Sequence, residues 1–162
     1  MPTYQMIQSY LSTMTGDALV IDIRGANTKP GTPLDSYTAN GNDNQLWTLE
    51  LDVPSGWYFI QSKLTDPMGK PLVIDIQKAG NNPGTPLDSY TKKSANYDNQ
   101  LWKFVEALGF SPGWYFIQSK LNDPLGNPLV VDIQGASNKP GTPLDSYTEK
   151  STNYENQLWQ LV

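Results

Sequence analysis

Hydrophobic and polar residues alternate with a period of two along several short runs of the chain. In the run 72–77, three aliphatic residues fall on one face of the expected strand, namely Leu72, Ile74 and Ile76. The opposite face carries Asp75. No segment keeps a helical period over about 11 residues or more, so the pattern predicts an all-β protein.

Four such runs fill the middle third of the chain, and turn-forming sequences rich in Pro, Gly and Asn separate them. We expect strands at Tyr58–Leu64, Leu72–Gln77, Thr85–Thr91 and Gln100–Val105. Burial of one face predicts the core residues Ile74, Ile76, Leu87, Trp102 and Phe104. Their counterparts in the rest of the chain are Ile21, Ile23, Leu34, Trp47, Leu49, Val131, Ile133, Leu144, Trp159 and Leu161. The same alternation places Asp75, Tyr90 and Leu101 outside the core.

The pattern repeats three times within the 162 residues. The string Pro-Gly-Thr-Pro-Leu-Asp-Ser-Tyr-Thr starts at Pro30, Pro83 and Pro140. The string Asn-Gln-Leu-Trp ends at Trp47, Trp102 and Trp159. We therefore expect repeats at about 1–53, 54–110 and 111–162, packed as one domain over 1–162.

Three repeats of four strands give twelve strands, and this number with threefold repetition favours a β-trefoil with pseudo-three-fold symmetry. A propeller usually has at least about four blades. A three-turn solenoid would need shorter and more regular repeats.

Composition excludes several functions. The formal net charge is -5, the sequence pI is about 4.5, and no cluster of Lys or Arg occurs. We therefore expect no nucleic-acid partner and no attraction to an anionic membrane surface. The chain has neither Cys nor His, so disulfides, thiolate chemistry and the commonest general base are absent. The sequence predicts no catalytic residue, no metal site and no cofactor.

The segment from Met1 to Ile7 lacks a basic region followed by an apolar run, and no stretch approaches about 18 apolar residues. We expect a soluble protein without membrane insertion, either cytoplasmic or secreted by a non-classical route.

Each repeat carries the same polar and aromatic residues outside the expected core. The second strand contributes Asp22, Asp75 and Asp132. A tyrosine follows 15 positions later, at Tyr37, Tyr90 and Tyr147. An amide pair precedes the tryptophan, at Asn44 and Gln45, Asn99 and Gln100, and Asn156 and Gln157. A carboxylate and an amide suit sugar hydroxyls, and an aromatic face packs on the C–H face of a pyranose. The set predicts three carbohydrate-binding sites.

These residues resemble those of the ricin B-type β-trefoil lectins, whose repeats carry a Gln-x-Trp signature. The signature here is 45–47, 100–102 and 157–159. Because the chain lacks Cys, it looks like the cysteine-free bacterial or fungal lectins. The resemblance implies that the Asp, Tyr and Asn of each repeat contact the sugar and that the Gln orients the Asp. It also implies a multivalent agglutinin for galactose or N-acetylgalactosamine on glycoproteins or glycolipids. A homodimer is left open.

The loop between the third strand and the Asn is two residues shorter in the first repeat. The other repeats place Tyr97 and Tyr154 in this loop, where the first repeat has Asn42. We interpret these tyrosines as an additional wall of their sites. We expect site one to bind more weakly or to prefer a different sugar.

Other interpretations stand beside this one. We interpret Asp35, Asp88 and Asp145 as solvated charges that protect strand edges. The second-strand Asp residues could instead be structural locks. A glycosidase needs a converging carboxylate pair, whereas threefold repetition predicts one Asp per site. A β-trefoil protease inhibitor and a targeting subunit of a toxin or glycan-active enzyme are the alternative functions.

Overall fold

The computed structural model describes residues 1–162 and confirms the all-β prediction. Its twelve strands are β1 (Ile7–Ser12), β2 (Ala18–Ile23), β3 (Thr32–Thr38), β4 (Trp47–Asp52), β5 (Trp57–Thr65), β6 (Pro71–Ile76), β7 (Thr85–Thr91), β8 (Trp102–Glu106), β9 (Tyr115–Asn122), β10 (Pro128–Ile133), β11 (Thr142–Thr148) and β12 (Trp159–Leu161). The predicted strand Gln100–Val105 begins two residues late because a 3-10 turn occupies Asp98–Gln100. None of the helical segments, which are 3-10 turns of three residues, is long and apolar enough to span a membrane.

Six strands form a closed ring by antiparallel pairing, in the order β1, β12, β9, β8, β5, β4. A bridge between Gln5 and Trp47 closes the ring between β4 and the segment before β1. The sequence pattern did not predict this closure, because alternation along a strand does not say which strand lies beside it.

The other six strands form three hairpins, β2–β3, β6–β7 and β10–β11. Strands β3, β7 and β11 also pair with one another, so the hairpins meet around a common centre. In each hairpin the register places an Asp near the end of the first strand directly opposite an Asp at the centre of the second, for example Asp75 opposite Asp88.

The core inside the ring is built from the predicted residues. Twelve of them are buried in one cluster, which also takes in Ile7, Ile60 and Ile117. Leu49, Phe104 and Leu161 are only partly buried and pack against it. The three tryptophans add a polar anchor: the indole N–H of Trp102 donates to the carbonyl oxygen of Ile74 at 3.0 Å, and Trp47 and Trp159 make the same bond to Ile21 and Val131.

The opposite face of the hairpin strands is also covered, which the alternation pattern did not predict. Leu101, expected outside, is fully buried with Val73 and Phe59 in a second, smaller cluster. The loop after β7 folds back over this face and packs Tyr97 against Phe59, with ring centroids 5.3 Å apart.

Candidate functional site

The second-strand Asp of each repeat is the centre of a buried polar cluster. In the second repeat, Asn99 Nδ2 donates to Asp75 Oδ2 at 2.9 Å, and Gln100 Nε2 donates to the same oxygen at 2.8 Å. The 3-10 turn Asp98–Gln100 presents both amides to the strand. The same bonds of 2.8–2.9 Å join Asp22 to Asn44 and Gln45, and Asp132 to Asn156 and Gln157.

The glutamine lies behind the Asp and ties it to the following loop. Gln100 Nε2 also donates to the Thr91 carbonyl oxygen at 3.2 Å, and its Oε1 accepts from the Lys93 backbone N–H at 2.9 Å. Gln100 has no exposed surface. It therefore holds Asp75 in place from inside the protein.

A second carboxyl group faces each of these Asp residues. The hairpin register sets Asp22 opposite Asp35, Asp75 opposite Asp88, and Asp132 opposite Asp145. All six are buried, with no more than 5% of any residue exposed. The interpretation of Asp35, Asp88 and Asp145 as solvated charges is therefore wrong, and so is the expectation of one carboxylate per site. Alternation puts each of these residues on the covered face, beside the Asp across the hairpin.

The carboxyl pairs bind a proton near neutral pH. Burial, assisted by the charge of Asp75, raises the pKa of Asp88 to about 7. Burial and the charge of Asp132 do the same for the pKa of Asp145. The Oδ1 atoms of Asp35, Asp88 and Asp145 have no hydrogen-bond partner, so each pair keeps one unused polar atom.

The first repeat distributes its charge differently. Arg24 Nε donates to Asp35 Oδ2 at 3.0 Å and forms an ion pair with it. Burial raises the pKa of Asp35, but Arg24 opposes that change. Burial raises the pKa of Asp22 to about 6, and the charge of Asp35 contributes to this. Arg24 thus favours the charged form of Asp35 through an ion pair that Asp88 and Asp145 do not have.

Three pockets lie over these clusters, one per repeat, with volumes of about 310, 310 and 340 Å³. Both Asp residues and the tyrosine of the repeat line each pocket. Tyr37, Tyr90 and Tyr147 are between 41% and 45% exposed. The structure therefore brings the predicted Asp and Tyr together at a surface where an aromatic ring faces solvent.

Tyr97 and Tyr154 line none of these pockets, so their interpretation as site walls is wrong. Tyr97 packs on Phe59, and Tyr154 packs between Phe110 and Phe116. The longer loops of repeats two and three carry these side chains away from the pocket to the second layer. Asn42, at the matched position of the first repeat, does line its pocket.

Sequence reasoning missed two lysines that line the second and third pockets. Lys93 Nζ donates to Asn99 Oδ1 at 3.0 Å and lies 3.8 Å from Asp75 Oδ2. Lys150 Nζ makes the equivalent contacts with Asn156 at 2.9 Å and with Asp132 at 3.8 Å. The available signal was the Lys three residues after the tyrosine, a position that is Asn40 in the first repeat.

The second and third pockets also touch the preceding repeat. Gly31, which directly precedes β3, lines the second pocket. Gly84, which directly precedes β7, lines the third. These contacts follow from backbone bonds of 2.7–2.8 Å: Gly31 N–H to the Ser89 carbonyl, Gly84 N–H to Ser146, and Gly141 N–H to Ser36. Each serine lies between the second Asp and the tyrosine of a site. The walls of the second and third pockets thus come from two successive repeats, whereas the first pocket is lined by its own repeat.

A larger cavity of about 720 Å³ lies among the strands of the ring. Its lining is mostly apolar and includes Leu49, Tyr58, Phe104, Tyr115 and Leu161. No carboxylate lines it, so it lacks the chemistry of the three repeated pockets.

The sequence matches the family model described as "Ricin-type beta-trefoil lectin domain-like" over residues 7–90. The chain belongs to this family. The match spans the first polar cluster and the second as far as Tyr90, and the third repeat carries the same residues. No curated protein matches the sequence.

Solved structures agree with this family fold. The designed three-fold symmetric protein ThreeFoil is 25% identical, with a TM-score of 0.76, over 98% of this chain and 97% of that chain. A Macrolepiota procera ricin B-like lectin in complex with lactose is 18% identical, with a TM-score of 0.66. The match covers 99% of this chain and 94% of that lectin. The earthworm R-type lectin C-half in complex with GalNAc is 21% identical, with a TM-score of 0.64. The match covers 99% of this chain and 98% of that lectin.

Proposed function

We propose that this protein is a lectin that binds glycans through its three pockets and catalyses no reaction. The observation that carries this proposal is that the same buried Asp-Asn-Gln cluster lies beneath an exposed tyrosine in every repeat. The whole chain acts as one domain, because backbone hydrogen bonds join each repeat to the next and two of the pockets take a wall from the preceding repeat.

The chemistry of each pocket suits a pyranose. The carboxyl pair supplies acceptors for sugar hydroxyls, and charged acceptors make stronger hydrogen bonds than neutral ones. The tyrosine ring offers apolar surface to the C–H face of the sugar. The side chains are preorganised, because the amides hold Asp22, Asp75 and Asp132 in place before any ligand arrives.

Galactose-type sugars are the proposed ligands. The family relation supports them, as do the fold relatives described in complex with lactose and with GalNAc. At shallow pockets we expect monosaccharide affinity on the order of millimolar to high micromolar, with avidity across three sites supplying tighter binding to cell surfaces. Such a protein agglutinates cells that carry the glycan.

The carboxyl pairs do not favour a glycosidase. In glycosidases two carboxyl groups flank the scissile bond, about 5–10 Å apart, with the sugar between them. Here the two Asp residues are direct cross-strand neighbours on one face of a hairpin, where Cβ atoms lie about 5 Å apart and point the same way. A sugar that lies over such a pair meets both carboxyls from the same side.

A glycan array with two variants tests the proposal. The first variant carries Asp22→Asn, Asp75→Asn and Asp132→Asn, which removes the carboxyl group that the amides hold in each pair. The second carries Tyr37→Ala, Tyr90→Ala and Tyr147→Ala, which removes only exposed rings and leaves the buried clusters intact. Circular dichroism and thermal melts establish that each variant is folded.

We expect the wild type to bind a related set of galactosides and both folded variants to lose that binding. Wild-type protein that binds no glycan at high density contradicts the lectin proposal. In that case the clusters are structural, and a panel of proteases tests the inhibitor alternative at stoichiometric amounts.

A further inference from the structure

One asparagine of the chain is followed by a glycine. Asn40 and Gly41 lie in the loop after β3, and every other asparagine precedes a residue with a side chain. Both residues are exposed. Glycine has no side chain to block close approach of its backbone nitrogen to another group. Asparagine is among the thermolabile residues, and the Asn40 side-chain amide is the group that the Gly41 nitrogen can reach.

The loop holds the two reacting atoms close together. The Asn42 backbone N–H donates to Asn40 Oδ1 at 2.9 Å. The ring that this hydrogen bond closes contains both Asn40 Cγ and the Gly41 nitrogen, so the side-chain amide is folded back over the peptide that contains its attacker. Negative charge develops on Oδ1 when a nitrogen adds to Cγ, and a backbone N–H that already points at this oxygen stabilises that charge.

The proton that Gly41 must lose is weakly held. The Gly41 N–H donates to Gln45 Oε1 at 3.3 Å, beyond the usual N–H···O range of about 2.7–3.2 Å. The Asn40 N–H donates to the same oxygen at 2.8 Å and makes the stronger of the two bonds. Hydroxide can therefore take the Gly41 proton without breaking a strong hydrogen bond first.

We propose that Asn40 is a spontaneous modification site, at which the Gly41 nitrogen attacks the side-chain amide and the resulting succinimide opens to aspartate or isoaspartate. The matched residues of the other repeats are Lys93 and Lys150, which cannot react in this way. The modification therefore alters the first pocket alone. It needs no ligand, so it stands or falls independently of the lectin proposal.

The reaction balances with water as its only co-reactant. A bond forms between the Gly41 nitrogen and Asn40 Cγ, and the bond from Cγ to Nδ2 breaks. The Gly41 proton passes to hydroxide, and Nδ2 leaves as ammonia with a proton from water. Water then opens the succinimide at one of two carbonyl groups. Cleavage between Cγ and the nitrogen gives aspartate, whereas cleavage between the backbone carbonyl carbon and the nitrogen gives isoaspartate.

Isoaspartate disturbs the glutamine that holds the buried carboxyl group. Gln45 Oε1 accepts from both the Asn40 and the Gly41 N–H, and Gln45 Nε2 donates to Asp22 Oδ2 at 2.9 Å. In isoaspartate the main chain runs through Cβ and Cγ of residue 40, which inserts one carbon between the two N–H groups. Both groups can then no longer keep their bonds to one oxygen, and the change reaches Asp22 through the glutamine.

Either product also adds a negative charge to the first pocket. Asn40 lines this pocket together with Asp22, Asp35 and Arg24. The two carboxyl groups face a single arginine, which is paired with Asp35. A third carboxyl group at the rim makes the pocket more negative, whereas the second and third pockets have a lysine at the matched position.

The chain contains its own control for the glycine. Asn27 is also exposed, and its Oδ1 accepts from the Lys29 backbone N–H at 2.9 Å, as Asn40 Oδ1 accepts from Asn42. The residue after Asn27 is Thr28, whose branched side chain crowds the backbone nitrogen. A difference between Asn27 and Asn40 thus reports the effect of Gly41.

Peptide mapping of the full chain tests the proposal after incubation at mildly alkaline pH. Tandem mass spectrometry localises the exchange of an amide NH₂ for OH, and methylation by a protein isoaspartyl methyltransferase identifies isoaspartate. We expect at least about tenfold more product at Asn40 than at Asn27. Asn40→Gln should give no product at position 40, because the longer side chain would have to close a larger ring.

A second variant tests the role of the Asn42 N–H. Asn42 has φ −69°, which proline adopts, so Asn42→Pro removes this donor and keeps the backbone conformation. We expect the reaction at Asn40 to slow about fivefold. An unchanged rate in the folded variant would show that this N–H does not assist the attack.

NMR spectra of the incubated protein test the effect on the pocket. The side-chain amide signals of Gln45 should shift as product accumulates, while those of Gln100 and Gln157 stay constant and show that the fold is intact. Equal amounts of product at Asn40 and Asn27 would overturn the modification site. Product at Asn40 with unshifted Gln45 signals would overturn its effect on the first pocket.

Discussion

At the scale of the residue, Gln100 shows how one side chain serves both the fold and the site. It bonds to the Asp75 carboxylate, to the Thr91 carbonyl oxygen and to the Lys93 backbone N–H. Each of these partners lies on a different segment: β6, the end of β7 and the loop that follows. The position of the pocket lysine therefore depends on a residue that no ligand touches.

Replacing this side chain should be costly. Gln100→Leu leaves one buried and two partly buried polar partners without their bond, and we expect the free energy of unfolding to fall by about 2–3 kcal/mol. Urea denaturation measures the change. Tyr90→Ala, at an exposed ring of the same site, should alter stability by less than about 0.5 kcal/mol while it abolishes binding there. Equal stability of the two variants would contradict the role of the glutamine.

The carboxyl pairs predict how stability depends on pH. In the folded protein the pKa of Asp88 and of Asp145 is about 7, above the ordinary value of 3.8 that we take for the unfolded chain. Between these values the folded state binds more protons than the unfolded state, so stability falls as pH rises through the window from about 4 to 7. We expect the melting temperature to be higher at pH 5 than at pH 8, by roughly 3 °C or more.

The double variant Asp88→Asn, Asp145→Asn supplies the control for this pH dependence. It removes the two carboxyl groups whose pKa is about 7 and leaves that of Asp22, whose pKa is about 6. Its melting temperature should vary less across the same range. A wild-type protein that is more stable at pH 8 than at pH 5 would show that the pairs do not hold a proton.

At the scale of the element, the short turn after β2, β6 and β10 offers a comparison within one chain. Its central residue has a left-handed backbone in all three repeats: Gly25 at φ 63°, Lys78 at φ 54° and Gly135 at φ 64°. Glycine adopts this conformation without the steric cost that a side chain brings.

Lys78→Gly should therefore stabilise the protein, by about 0.5–1 kcal/mol after the greater chain entropy of glycine is taken into account. Thermal and urea denaturation measure this. The reverse change, Gly135→Lys, should destabilise the third repeat by a similar amount. Loss of stability in Lys78→Gly would mean that the lysine side chain makes a stabilising contact at the rim of the second pocket.

The strands also show which parts of the fold and of the pockets the sequence could predict. Alternation identified the strands and the inward residues, and Thr85–Thr91 matches β7 in full. Alternation could not predict that Asp88 is buried. Burial of the outer face depends on a loop that lies further along the chain and packs there. Lys93 was missed for the same reason: its place in the pocket is set by the bond to Gln100, which joins residues seven positions apart in an irregular segment.

At the scale of the whole molecule, three pockets on one closed fold predict avidity. A variant with Tyr90→Ala and Tyr147→Ala retains site one only. We expect its affinity for free lactose at site one to equal that of the wild type, whereas its binding to a dense lactose surface should fall about a hundredfold or more. Calorimetry and surface plasmon resonance measure the two quantities. Unchanged surface binding would show that only site one contributes.

The backbone bonds from Gly31 to Ser89, from Gly84 to Ser146 and from Gly141 to Ser36 run around the centre in one direction. The first repeat therefore lends a wall to the second pocket, and the second repeat lends one to the third. For these two pockets, the unit that is duplicated in the sequence and the unit that encloses the pocket are out of phase. A substitution in the hairpin loop of the first repeat is felt at the second site, and so the three copies cannot diverge independently of one another.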